Sequence, residues 1–323
     1  MHAIGEAKGI KLYAPKNAYF SYFNSPYFGH SHAAAIDIYP EHQEWGGPFV
    51  SPVAGKVVRI KKTLMGRKKE FPTDEFDFGI AIQPEDNEES IVRILHCKPS
   101  LNEGDFVDFG DRIGNTIRSR YFNYWTGPHY HVEIMHQDSF SRSTQSYPLE
   151  LPFSYVPHNT TELPTTVEFL IDSVSEDSIT GYPRNLSHTT IDGYTGLSAI
   201  SNETKVIGIL DGGLSHYKHG GVIGQTSAIN GSLVRIQKIP VGTVRQSLKG
   251  ASFFLRDPSI SSYLDGKKLR GLSCFIYPKN FVRYEVPRLL LVPQTYGEFV
   301  RFVSEGDVCE LKIDSASNTI KAE

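Results

Sequence analysis

The sequence predicts an all-β protein, mainly antiparallel, with a β-sandwich core followed by a second β-rich domain. Short apolar runs of roughly four to eight residues recur along the chain, separated by Gly and Pro. The composition includes 28 Gly, 19 Pro, 17 Tyr and 19 Phe, which are typical of turns and strands. No part of residues 1–150 has a sustained helical period, so this half is predicted to be almost entirely strands and turns.

Domain organisation follows from length and from one polar, proline-containing stretch. At 323 residues, the chain exceeds the size at which single hydrophobic cores usually stop growing. The sequence SYVPHNTTELPTT follows the last strand signal of the first half and is typical of a linker. We therefore predict a first domain at residues 1–157, a linker at 158–166 and a β-rich accessory domain at 167–323.

Charge and targeting signals narrow the function classes. The formal net charge is −3, so no nucleic-acid partner is expected. No apolar run reaches membrane-spanning length, and no membrane span is expected. The start, MHAIGEAKGIKLYAP, lacks the basic head and apolar core of a signal peptide. A cytoplasmic location is therefore the expectation, with extracellular or cell-wall action by another route as the alternative.

The first chemically informative segment is GHSHAAAIDIYP, residues 29–40. Asp37 stands between apolar residues in a predicted strand, where a buried carboxylate needs a cation or a hydrogen-bond donor. His30 and His32 lie just upstream and offer imidazole nitrogens. The pattern indicates either a metal site or an aspartate that faces solvent from an edge strand.

Further strands are predicted at residues 51–60, 78–84 and 90–100, and His96 stands at the end of the last. Residues 101–116 contain three glycines that divide two short strand segments. Such punctuation is typical of a tight β-sandwich with close turns.

The stretch TGPHYHVEI, from Thr126 to Ile134, organises the first domain. Alternate residues of a strand share a face, so the rings of His129 and His131 are predicted to point the same way. Glu133 is the next residue on that face and could orient a histidine ligand from behind. Taken alone, the motif is also typical of a half-buried strand with hydrogen-bonded histidines.

Four blocks in order carry a family resemblance: HAAAID, SPVAGKVV, ILHCKPSLNEGDFVDFGDRIGNT and TGPHYHVEI. Together they resemble the lysostaphin/LytM-type zinc endopeptidases over roughly residues 28–136. The resemblance implies a duplicated hybrid motif fold and zinc held by His32, Asp37 and His131, with water at the fourth position. It also implies that His96 and His129 form the catalytic pair, and that the substrate is a peptide of the peptidoglycan cross-link type.

The proposed donor set suits such a role on chemical grounds. Two imidazoles and one carboxylate leave one tetrahedral position of Zn²⁺ open for water or substrate. A neutral histidine nearby can accept a proton from that water, and a second can steady the oxyanion or protonate the leaving amine.

The first block departs from the family spacing. The family places its His and Asp four residues apart, whereas His32 and Asp37 are five apart. An odd spacing on a regular strand puts two side chains on opposite faces. We therefore predict an irregular segment between residues 30 and 34, a regular strand from about Ala35, and His30 as the alternative ligand.

The loop before the last block also departs from the family, which usually has Gly, Ser and Thr there. Here it contains Tyr121, Tyr124 and Trp125, which are candidates for the lining of a substrate groove. Ordinary aromatic packing is the competing interpretation.

Three alternatives stay open at the level of sequence. One is a catalytically degenerate binding or regulatory module with the same fold. Another is a carrier-like barrel related to biotinyl and lipoyl domains, although no modified-lysine hairpin is present. The third concerns the second domain, where Asp211, His216 and His219 indicate either a second metal site or a glycine-rich turn.

Overall fold

The computed structural model describes residues 1–160, 166–201, 204–224 and 230–316. The prediction of a mainly antiparallel all-β chain is confirmed, with 52% strand and 4% helix. The chain forms two compact units. Unit 1 comprises Met1–Phe20 and Tyr27–Pro152, and unit 2 comprises Ser21–Pro26 and Phe153–Glu323.

The division at Pro152 lies five residues before the predicted boundary at residue 157. Residues 161–165 of the predicted linker lie outside the described residues, so the linker stays a prediction. None of the helices in the described ranges is long and apolar enough to cross a membrane.

Unit 1 contains twelve strands, a one-turn helix α1 and two short 3-10 helices. They are β1 (His2–Ala7), β2 (Ile10–Ala14), β3 (Tyr19–Ser21), α1 (Phe28–Ser31), β4 (Ala35–Tyr39), β5 (Pro48–Val50), β6 (Gly55–Leu64), β7 (Phe76–Gln83), β8 (Ser90–Leu95), β9 (Cys97–Pro99), β10 (Phe106–Val107), β11 (Arg112–Thr116), β12 (Tyr130–His136), and the 3-10 turns Gln137–Ser139 and Ser143–Gln145.

A seven-stranded sheet in the order β10-β6-β7-β8-β12-β4-β3 dominates unit 1. A three-stranded sheet, β5-β11-β9, and the hairpin β1-β2 complete it. In the large sheet, one cross-strand row consists of buried apolar residues, because Ile36, Val132, Ile94 and Ile80 pair successively and are all 0% exposed. This row forms the core on one face of the sheet.

The neighbouring row points to the other face and leads to the candidate site. Asp37 of β4 pairs with His131 of β12, which pairs with Leu95 of β8. Leu95 pairs with Gly79 of β7, which pairs with Lys61 of β6. Directly paired residues share a face of the sheet. Strand register alone therefore places polar side chains from distant segments of the chain on one surface.

Unit 2 is built around one sheet of sixteen strands and a small hairpin. Its strands are β13 (His158–Asn159), β14 (Val167–Val174), β15 (Ile179–Pro183), β16 (His188–Ile191), β17 (Tyr194–Ser201), β18 (Lys205–Leu214), β19 (His219–Ile223), β20 (Leu233–Ile236), β21 (Ile239–Leu248), β22 (Ala251–Arg256), β23 (Ser261–Leu264), β24 (Lys267–Lys268), β25 (Gly271–Cys274), β26 (Tyr277–Pro278), β27 (Val282–Arg283), β28 (Val286–Pro287), β29 (Leu289–Val292) and β30 (Val308–Asp314), with a 3-10 turn at Lys279–Phe281.

Asp211 has a structural role in unit 2. Its carboxylate is fully buried and accepts hydrogen bonds from the Ser21 hydroxyl at 2.5 Å and from the backbone N–H of Tyr22 at 2.7 Å and Phe23 at 3.1 Å. These donors satisfy the buried charge without a cation. Burial also lowers the pKa of His216 to about 3. Within the described ranges, no metal-binding group forms around Asp211, His216 and His219.

Candidate active site

The irregular segment predicted between residues 30 and 34 is confirmed, and it consists of the end of a helical turn and a short connection to β4. Helix α1 ends at Ser31, and Ala33 has a φ of 49°, in the left-handed region. The N–H of Ala34 donates to the carbonyl of Gly29 at 2.7 Å. Strand β4 then begins at Ala35, as predicted. The turn directs His30, which is 0% exposed, into unit 1.

The structure does not bring the predicted ligand His32 to Asp37, and His30, the alternative, lies beside Asp37 and His131 instead. The His32 ring stacks on Phe28 with centroids 4.0 Å apart, and its Nδ1 lies 2.8 Å from the Ser31 hydroxyl. Assigning His32 assumed that the residue nearer in sequence would be nearer in space. A helical turn reverses that order, because side chains two residues apart on a helix do not share a face.

Three potential ligand atoms, one each from His30, Asp37 and His131, lie close together in unit 1. His30 Nε2 lies 3.2 Å from Asp37 Oδ1 and 3.1 Å from His131 Nδ1, and His131 Nδ1 lies 2.8 Å from Asp37 Oδ1. They form the one group of this kind in the described part of the chain. A tetrahedral zinc with bonds of about 2.1 Å separates its ligand atoms by about 3.4 Å. The donor set therefore fits zinc after a widening of a few tenths of an ångström.

Glu133 contacts the side of the His131 ring that faces away from His30 and Asp37. Its Oε1 lies 2.8 Å from His131 Nε2, which leaves Nδ1 of His131 to face His30 and Asp37. The other carboxylate oxygen of Glu133 accepts from the Arg93 guanidinium and, at 3.0 Å, from the Ser146 hydroxyl. A histidine held by a carboxylate in this way is the usual arrangement behind a metal ligand.

His129 lies at the edge of the three-atom group. Its Nδ1 is 2.9 Å from the carbonyl of Gly127, an acceptor that requires the proton on Nδ1. Its Nε2 is 3.7 Å from Asp37 Oδ1. Burial, with a smaller contribution from His96, lowers the pKa of His129 to about 4. The ring is therefore neutral at pH 7, with an unprotonated Nε2 directed at the group.

His96 faces His129, with ring centroids 5.5 Å apart. Its Nδ1 lies 2.7 Å from Oδ2 of Asp77, which also accepts from the Ser119 hydroxyl at 2.8 Å. Burial raises the pKa of Asp77, but the interaction with His96 and the hydrogen bonds outweigh it and the pKa is lowered. His96 itself has a φ of 68°, an uncommon conformation for a residue other than glycine.

Sequence reasoning did not single out Asp77, Ser119 or Arg93. A signal for Asp77 was present, since FDFGIAI places an acid between apolar residues just as AIDIY does for Asp37. The prediction began that strand at Phe78 and left Asp77 in a loop, whereas β7 begins at Phe76.

Electrostatics keep the carboxylate of the group ionised. Burial raises the pKa of Asp37, but His30 and His129 together with hydrogen bonds outweigh it and hold this pKa well below its usual range. Burial lowers the pKa of His131, whereas Glu133 and Asp37 more than compensate and raise it to about 9. Without metal, both ring nitrogens of His131 are therefore protonated at pH 7, and a bound metal ion would have to replace the proton on Nδ1.

The three aromatic candidates for a groove occupy different places. Tyr121 stacks on His96 at 5.1 Å and on Tyr27 at 4.9 Å, and its side chain remains partly exposed. Tyr124 and Trp125 contact each other edge to face at 4.8 Å. The structure thus brings Tyr121 to the histidines, whereas for Tyr124 and Trp125 it shows aromatic packing.

The fold and the site define an all-β protein with a buried His/Asp group suited to a metal ion. Residues 11–151 match the N-terminal domain, and residues 184–285 the C-terminal domain, of a family described as a domain of unknown function (DUF8155). No curated protein matches the sequence.

Two solved structures of lysostaphin resemble the chain, each at 14% sequence identity. One is an NMR solution structure, with a TM-score of 0.26 over 75% of this chain and 89% of that one. The other is the antimicrobial peptidase lysostaphin from Staphylococcus simulans, with a TM-score of 0.27 over 68% of this chain and 96% of that one.

Proposed function

We propose that this protein is a zinc-dependent endopeptidase that hydrolyses peptide bonds with water as the nucleophile. The observation that carries the proposal is the convergence of His30, Asp37 and His131 beside two further histidines, each held by a partner outside the group. The resemblance of four sequence blocks to the lysostaphin/LytM-type endopeptidases supports the same reaction class. It also suggests peptides of the peptidoglycan cross-link type as substrates.

In this proposal His30, Asp37 and His131 hold the ion. When bound, zinc lowers the pKa of a coordinated water to about 7 and polarises the scissile carbonyl. His129 accepts the proton of the attacking water at Nε2, because its Nδ1–H is committed to the Gly127 carbonyl. His96, when both ring nitrogens carry a proton, keeps its Nδ1–H on Asp77 and donates the Nε2 proton to the developing oxyanion or to the leaving amine.

A catalytically degenerate binding module is the alternative, and turnover separates the two. The experiment measures cleavage of a mixed peptide library by the full chain loaded with zinc, after chelation, and after zinc is restored. We expect cleavage that chelation removes and zinc restores. His129→Ala should lower the rate by about 10²-fold or more, the scale expected for loss of a positioned general base.

His136→Ala is the matched control, since His136 lies on the same strand with its side chain 42% exposed and paired with Asp138. It should cleave as the unmodified protein does. A protein that binds zinc stoichiometrically yet cleaves no peptide would contradict the endopeptidase proposal and favour the binding module.

A further inference from the structure

A cavity of about 200 Å³ opens beside the candidate site on the same face of the seven-stranded sheet. Thr63, Met65, Leu95 and Phe140 contribute apolar wall, and His96 and Tyr121 line the same space. The cavity is therefore lined by one of the two proposed catalytic histidines, His96. Its volume corresponds to about six or seven water molecules, enough for one side chain.

Gly79 lines the cavity and belongs to the same cross-strand row as Asp37 and His131. Gly79 stands between Lys61 and Leu95 in that row. A Cβ at this position would lie 3.1 Å from Cζ of Phe140 and 3.2 Å from Cδ2 of Leu95, closer than about nine in ten such contacts in proteins. Glycine at this position therefore lets Phe140 and Leu95 pack close over the strand, and a larger residue would push these two wall residues away and change the shape of the cavity.

The distance between Gly79, which lines the cavity, and the proposed ligand His131 suits an extended peptide. Adjacent strands lie about 4.8 Å apart, so Gly79 is two strands, or about 10 Å, from His131 along the row. An extended chain advances about 3.3–3.6 Å per residue. A peptide whose scissile bond lies at His131 therefore reaches the cavity with the side chain of a residue within a few positions of that bond.

The charged groups around the cavity already have partners inside the protein. Arg93 pairs with Glu133 and donates to the Phe140 carbonyl, and Asp77 is bonded to His96 and Ser119. Lys61, at the exposed rim, lies 3.5 Å from the Ser141 hydroxyl. An incoming group therefore meets mainly apolar surface, which favours an apolar ligand over an ionic one.

We propose that this cavity is a specificity pocket for one large apolar side chain, such as leucine, methionine or phenylalanine, near the cleaved bond of the substrate. The inference rests on the proposed endopeptidase function and narrows its substrates to peptides that carry such a residue. Peptides made of glycine alone would leave the pocket empty.

The first test compares two neighbouring substitutions on β6 in the zinc-loaded full chain. Thr63→Phe narrows the pocket, whereas Leu64→Phe adds the same ring on the opposite face, where Leu64 is 65% exposed. Phenylalanine is a good strand former, so both substitutions are compatible with β6. Cleavage sites in a peptide library, identified by mass spectrometry, should be enriched in large apolar residues at one position. Thr63→Phe should weaken that enrichment at least about tenfold, and Leu64→Phe should preserve it.

The second test needs no turnover. N-acetyl-leucinamide should shift the NMR resonances of His96 and Tyr121, N-acetylglycinamide should not, and Thr63→Phe should abolish the shift. Absence of all peptide cleavage would contradict the proposed function, whereas the leucinamide shifts would still support the pocket. Cleavage without apolar enrichment, or equal responses to the two amides in folded protein, would overturn the pocket.

Discussion

Oδ2 of Asp77 lies 2.7 Å from Nδ1 of His96, and the Ser119 hydroxyl holds the same oxygen from the other side at 2.8 Å. Asp77 and His96 are both largely buried, and they come from the start of β7 and the residue after β8. This pairing holds an N–H of His96 on Nδ1 and orients the ring, so that Nε2 is the nitrogen that acts on a substrate.

Asp77→Asn should therefore lower kcat/KM by about 10- to 100-fold while zinc content stays unchanged, because Asp77 orients a catalytic histidine and lies outside the ligand set. Steady-state kinetics and metal analysis on the same preparation measure both effects. Asp74→Asn, an exposed aspartate three residues earlier, is the control and should change neither. Loss of zinc in Asp77→Asn would show that Asp77 supports the metal site.

Glu133→Gln should weaken zinc binding by about 10- to 100-fold, since the carboxylate orients His131. The same change leaves the buried Arg93 without its ion partner, and breaking a buried pair typically destabilises a protein by about 3–5 kcal/mol. Urea unfolding in the presence of a chelator measures the second effect separately from the first. Exposed Glu89→Gln serves as the control. Unchanged stability together with unchanged zinc affinity would contradict the role given to Glu133.

Zinc affinity should depend on pH because His131 is protonated in the metal-free protein up to a pKa of about 9. Binding must displace that proton, so affinity should rise by about tenfold per pH unit between pH 6 and pH 8. Competition with a chelating dye measures the slope, and calorimetry in buffers of different ionisation enthalpy counts the released protons. An affinity that does not change over this range would refute a protonated His131.

The sequence was sufficient to predict strands, the shared face of His129 and His131, and a break in regular structure before Ala35. Each depends on local periodicity or local spacing. The choice between His30 and His32 was not predictable from strand geometry, because a single helical turn decides which ring enters unit 1. Asp77 carried a local signal, but its pairing with His96, like that of Arg93 with Glu133, depends on strand register, a non-local property that joins β7, β8 and β12.

Unit 2 shows the same limit. The pattern of Asp211, His216 and His219 resembles a metal site in sequence. In the structure the Asp211 carboxylate instead accepts hydrogen bonds from the segment Ser21–Pro26, nearly two hundred residues earlier in the chain. No local pattern indicates that the N-terminal half contributes a segment to this unit.

The ligand role of His30 is tested most directly by zinc content and affinity in His30→Ala and His32→Ala, measured beside the unmodified full chain after dialysis against metal-free buffer and titration with zinc. The unmodified protein and His32→Ala should each bind one zinc per chain with similar affinity. His30→Ala should lose tight binding, because two ligands hold zinc poorly. Retention of zinc by His30→Ala with loss in His32→Ala, or full retention by both, would contradict a centre formed by His30, Asp37 and His131.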